Sequence, residues 1–191
     1  MIEQFILRIK EYISVQEEEV AYLRNRLVIK RYKKDEIIFS EGEVARTIYF
    51  VLDGCVRLFY NVKGNYKTAF FYTEGKFICA GESYNLGTPA RENYQAIEDT
   101  VLVHFDKKMN EELVHQFPVF GDLALIVTEQ ELIAYQKILA SFITKSPEER
   151  YLELLAENGA LFLRVQQQYI ASYLGVTPET LSRIKKRIAQ K

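Results

Sequence analysis

A chain of 191 residues can build one substantial core and a smaller second one, since domains usually hold about 100 to 150 residues. With 48% hydrophobic and 27% charged residues, nine glycines and four prolines, it is too apolar and too poor in chain breakers for a disordered protein. The net charge is only −1, and neither an apolar run of roughly 18 residues nor a signal-like start is present, so the chain is expected in the cytoplasm, away from the membrane.

Residues 2 to 29 carry a helical period: Phe5, Ile6, Ile9 and Ile13 recur at three-to-four spacing, and Val20, Leu23 and Leu27 resume it after Ser14. From Ile29 the pattern changes to short runs rich in Val, Ile, Phe and Tyr: Ile37 to Phe39, Thr47 to Leu52, Val56 to Tyr60, Thr68 to Tyr72 and Tyr94 to Phe105. Glycines fall between or beside those runs, where turns need them. This predicts an antiparallel β-roll or barrel of about eight short strands. Cys55 and Cys79 lie in strand-like apolar runs and are expected as small core residues, with no disulfide framework or four-thiolate cluster available. His104 and His115 are too few for a clustered metal site and are expected as packing or surface residues. Neither nucleophile spacing nor a phosphate-cradling glycine-rich loop occurs, and no enzyme is expected.

After Pro118 the helical period returns, and no Gly or Pro interrupts Asp122 to Ser146. Leu125, Leu132 and Leu139 recur every seven residues, with Ile126, Ile133 and Ala140 beside them and Thr128, Tyr135 and Phe142 at complementary positions. A band this wide suits a helix that packs on its own β-domain and on a second copy of the chain, which makes the three leucines the expected homodimer interface. Ser146, Pro147 and Glu149 then supply an N-cap, a first-turn proline and a capping-box acid, placing a hinge at Thr144 to Ser146. The expected organisation is a roll with lead-in helices over 1–117, a dimerisation helix and hinge over 118–145, and a further helical domain over 146–191.

The last segment reads VQQQYIASYLGVTPETLSRIKKRIAQK. Gln166 to Leu174 predicts a helix with Ile170, Ala171 and Leu174 inward, Gly175 a tight turn, and Thr177 the cap of a second helix beginning at Pro178. Val176, Leu181, Ile184 and Ile188 would anchor that helix, leaving Glu179, Ser182, Arg183 and Lys186 outward. A first-turn glutamate can accept from cytosine's amine, and an arginine one turn later can make a bidentate contact to guanine. Charge agrees: residues 1–144 hold 17 basic and 21 acidic residues, net −4, whereas residues 145–191 hold 8 and 5, net +3.

From Gln166 to Arg187 the chain closely resembles the helix-turn-helix of the Crp/Fnr regulators. The likeness extends through Phe39, Glu41, Gly42 and IYFVLDGCVRLFY, residues 48–60, which resemble the family's cyclic-nucleotide-binding roll. It implies an α+β fold: a β-roll, a long dimerisation helix and a winged helix-turn-helix. It also implies a sequence-specific transcription regulator that binds palindromic operators in double-stranded DNA as a homodimer and works with RNA polymerase. Glu179, Ser182 and Arg183 match base-contacting positions, and Gln168, Thr177 and Thr180 match phosphate-holding ones. Lys186, where the helix would leave the groove, is expected as a further phosphate contact. Pro178 stands where some members carry another guanine-reading arginine, so half-site preference does not carry over.

In the roll, Gly81 and Glu82 match the opening of the family's nucleotide cassette, and Arg91 lies near its phosphate-binding arginine. Glu92 follows in place of a hydroxyl residue, and a carboxylate beside a phosphodiester is repulsive. Tight cyclic AMP binding is therefore not expected. No cofactor is implied, and another small effector, or a roll kept as scaffold, fits better. The competing function is a small-ligand-binding regulatory module without direct DNA reading, which would survive loss of residues 165–191.

Overall fold

The computed structural model describes residues 1–190; Lys191, the last residue of the expected helix-turn-helix segment, lies outside them. Two short helices lead in. Helix α1 (Ile2–Ile9) buries Phe5, Ile6 and Ile9, and α2 (Glu17–Arg26) buries Val20 and Leu23 behind a capping box between Gln16 and Glu19. The expected helical stretch stops short of residue 29, because β1 (Val28–Tyr32) begins there and pairs antiparallel with a later strand.

Seven more strands follow: β2 (Ile37–Phe39), β3 (Thr47–Asp53), β4 (Val56–Val62), β5 (Asn65–Tyr72), β6 (Phe77–Ile78), β7 (Glu92–Ala96) and β8 (Thr100–Asp106). They form two four-stranded sheets, in the orders β1-β8-β3-β6 and β2-β7-β4-β5. The long run Tyr94 to Phe105 is thus broken into β7 and β8. The break packs on Gly54, whose φ is +96° and where a Cβ would lie 2.5 Å from the Thr100 hydroxyl, so the turn after β3 accepts no side chain. Helices α3 (Gly81–Leu86) and α4 (Lys107–Gln116) were not expected from periodicity; α4 is started by the Asp106 carboxylate, which accepts from the Met109 N–H at 3.0 Å.

Contacts divide the chain into two compact units, one of residues 1–58 and 71–131, the other of residues 59–70 and those from 132 onward. The core of the first gathers Phe5, Ile9, Leu23, Phe50, Val103, Phe105, Met109, Leu113, Phe117, Phe120 and Leu123. Cys55 is fully buried in that unit, as expected. Helix α5 (Val119–Thr144) runs for 26 residues and passes from the first unit into the second. Ile126 and Val127 pack against the core, whereas Leu125, Leu132 and Leu139 are 59%, 56% and 63% exposed.

The second unit contains α6 (Pro147–Asn158), α7 (Leu161–Arg164), α8 (Gln167–Tyr173) and α9 (Pro178–Ala189). Helix α6 starts on the expected capping box, with Ser146 accepting from the Glu149 N–H and the Glu149 carboxylate accepting from the Ser146 N–H. The expected wing is corrected: among the described residues no strand follows β8. Burial of Leu161 and Val165 folds the stretch between α6 and α8 into the single turn α7. No described helix is long and apolar enough to cross a membrane.

Candidate nucleic-acid interface

Helices α8 and α9 are joined by a turn that the sequence specifies bond by bond. Ala171 is fully buried on α8. At the end of α8 the Val176 N–H donates to the Ala171 carbonyl at 2.9 Å and the Gly175 N–H to that of Ser172 at 3.0 Å, the paired bonds of a Schellman cap. Gly175 has φ +71°, and a Cβ there would lie 2.8 Å from the Phe142 ring. Thr177 then caps α9, its hydroxyl accepting from the Thr180 N–H at 3.2 Å, with Pro178 in the first turn.

Helix α9 buries Leu181 and Ile184 and half-buries Thr180 and Ile188; Val176, in the turn before it, is half-buried too. Glu179, Ser182, Arg183 and Lys186 are all exposed, so the expected outward column is formed by one face of one helix. The side chains at its start pair with one another. The Thr180 hydroxyl accepts from Arg183 Nη2 at 3.1 Å and lies 3.3 Å from that of Thr177. A hydrogen bond with Thr177, the helix-start amide of its own residue and the nearby Arg183 charge hold the Glu179 carboxyl below its usual range. Gln168 is exposed at the start of α8 and donates to the Gln166 side-chain oxygen at 2.9 Å. Arg187 is committed elsewhere, to an ion pair with Glu148 of α6 at 2.8 Å. Ser172 of α8 accepts from the Thr68 N–H at 2.9 Å, a bond that no sequence pattern signals. Nor does periodicity single out Arg150, whose guanidinium meets the carbonyls of Leu174 and Lys145.

The roll residues singled out for an effector are less concentrated. Gly81 opens α3, Glu82 is exposed in its first turn, and Arg91 is exposed just before β7. The Arg91 N–H donates to the Glu92 carboxylate at 3.1 Å. A cavity of about 560 Å³ on this unit is lined by Arg46, Tyr84, Lys107 and Glu111 among others and includes none of these three. Burial first, then the charges of Glu131 and Glu92, push the Cys79 thiol up to about 12, and burial pushes the Glu131 carboxyl up to about 7. His104 is a packing residue: its Nε2 lies 3.1 Å from the Tyr32 hydroxyl and its ring meets the Tyr49 ring edge-on at 4.9 Å. His115 is exposed.

Residues 29–117 match the family described as the cyclic nucleotide-binding domain. Over 178 residues the chain is 24% identical to the transcriptional activator protein Anr of Pseudomonas protegens, covering 85% of this chain and 72% of that protein. Among solved structures it resembles FixK2 of Bradyrhizobium japonicum, with a TM-score of 0.75 and 24% identity over 86% of this chain and 85% of that one. It also resembles the catabolite activator protein of Thermus thermophilus, with a TM-score of 0.53 and 25% identity over 93% and 85% of the two chains.

Proposed function

We propose that the chain is a DNA-binding transcription regulator of the Crp/Fnr family with a cyclic-nucleotide-binding-like roll, and that it reads DNA through its last helix. Helix α9 lies in the major groove, where Glu179, Ser182 and Arg183 contact base edges, while Gln168, Thr177, Thr180 and Lys186 hold phosphates. The observation that carries this assignment is the exposed column Glu179, Ser182, Arg183 and Lys186 on a helix anchored by Leu181 and Ile184. Residues 146–191 form the reader, 118–145 the connecting and dimerising helix, and 1–117 the sensor. A homodimer through Leu125, Leu132 and Leu139 presents two copies of α9, so the operator is an inverted repeat with half-sites about 34 Å apart. RNA polymerase is the partner suggested by a relative named as an activator.

Cyclic AMP is not the effector in this proposal. The exposed Arg91 is followed by Glu92, whose carboxylate repels a phosphodiester. Selection of duplexes from a random pool by the full chain tests the whole proposal. An enriched inverted repeat is expected, with no change on adding cyclic AMP; enrichment of no sequence, or micromolar calorimetric binding of cyclic AMP, overturns the corresponding part.

A further inference from the structure

Two helices of the second unit end on the same side chain. The carbonyl of Lys145, at the end of α5, accepts from Arg150 Nη1 at 2.7 Å, and the carbonyl of Leu174, the C-cap of α8, accepts from Nη2 at 2.9 Å and Nε at 3.3 Å. The guanidinium carbon lies 4.5 Å from the centre of the Phe142 ring, and that ring is also what fills the space beside Gly175. The last carbonyls of a helix have no partner within it and carry the negative end of its dipole. One cation here serves two such ends. Only an arginine can do so, because three N–H groups must point in two directions from a flat group that also lies on a ring.

We propose that Arg150 is the positioning residue of the DNA reader: by closing the ends of α5 and α8 together over Phe142, it fixes the α8–α9 turn, and so the aim of α9, relative to the end of the connecting helix. It touches no base and no phosphate in this role. The Schellman cap uses up the Ala171 and Ser172 carbonyls, and the Leu174 carbonyl next to them is held from outside the turn by Arg150. A change in the course of α5 at Lys145 would pass through the same guanidinium to the turn.

The role rests on α9 reading sequence, and the test separates the two. Full-length wild type and Arg150→Lys are compared by fluorescence anisotropy on the duplex that wild type selects from a random pool and on a random-sequence duplex, across a salt series. Circular dichroism establishes that the variant is folded. Lysine keeps the charge but lacks the fork, so affinity for the selected duplex should fall about tenfold, with less than about a twofold change on the random duplex and an unchanged salt slope. A merely structural role would weaken both duplexes in proportion to the unfolded fraction. Equal binding to wild type on both duplexes, or equal weakening of both by a folded variant, overturns the proposal. Should Arg150→Lys fail to fold, Phe142→Leu removes the ring under the guanidinium and should narrow discrimination in the same way; full discrimination in that variant overturns it. A wild-type chain that enriches no sequence sinks DNA reading itself, and the positioning role with it.

Discussion

Arg183 and Lys186 lie one short turn apart on α9, both exposed, yet the structure gives them different surroundings. Arg183 is held by the Thr180 hydroxyl at 3.1 Å, whereas Lys186 stands toward the end of the helix. Arg183→Ala should therefore cost about 1 to 3 kcal/mol on the selected duplex and relax discrimination at one base pair. Lys186→Ala should weaken all sequences alike and lower the salt slope by about one. Anisotropy on single-base variants checks both, and an Arg183→Ala protein with unaltered base preference would remove that residue from the reader. Two half-buried groups in the first unit set opposing pH dependences. His104 is pushed down from 6.5 to about 4 by burial and by Lys30, so the stability present above pH 6.5 is lost as the unfolded chain takes up a proton on descent toward about 4. Glu131 is pushed up from 4.5 to about 7, so stability falls as pH rises through that window and the unfolded chain loses its proton first. In urea titrations, His104→Gln should reduce the loss of stability between about pH 6.5 and about pH 4. Glu131→Gln should be more stable than wild type near about pH 8 and equal to it near about pH 4. Parallel profiles for variant and wild type would contradict the assignment.

At the scale of elements, the α8–α9 turn was legible because each of its residues acts locally. Ala171 allows close approach, Gly175 takes positive φ, Thr177 caps and Pro178 starts a helix. What stayed hidden is the outside support. Phe142 reads in the sequence as part of an apolar seam, yet its ring stands against Gly175 and under Arg150. Gly175 and Gly64 allow these contributions to be separated, since both have positive φ but a Cβ at Gly64 meets nothing within 4 Å. Each substitution by alanine carries the backbone cost of roughly 1 to 2 kcal/mol. Gly175→Ala should be the more damaging in thermal melts and should also weaken binding to the selected duplex, because Phe142 must move. Equal melting temperatures for the two variants would mean that the ring yields at no cost. The missing wing has the same origin: periodicity marks apolar positions such as Leu161 and Val165, but only their burial in one small core decides that α7, and no hairpin, lies between them.

For the whole molecule, the exposed leucines of α5 are a feature that a single chain leaves unsatisfied. Leu125, Leu132 and Leu139 are each more than half exposed at heptad spacing, and burying such a side chain contributes about 1.5 to 3 kcal/mol. Leu132→Asp would place a charge in that seam. Light scattering at micromolar concentration should then find the 22.3 kDa monomer, and the variant should bind a half-site as well as the full inverted repeat. A dimer that persists through this change would place the contact elsewhere.

By itself the sequence determined the succession of helix, β-roll, long helix and helix-turn-helix, together with the outward column of α9. Those features follow from periodicity, caps and turn residues, which act over a few neighbours along the chain. Only the tertiary structure decided where β7 parts from β8, that Arg150 ends two helices at once, and that Glu131 and Glu92 lie near Cys79. Each of these depends on groups far apart in sequence meeting in space, with burial then deciding which carbonyls need a donor and which carboxyls keep their protons.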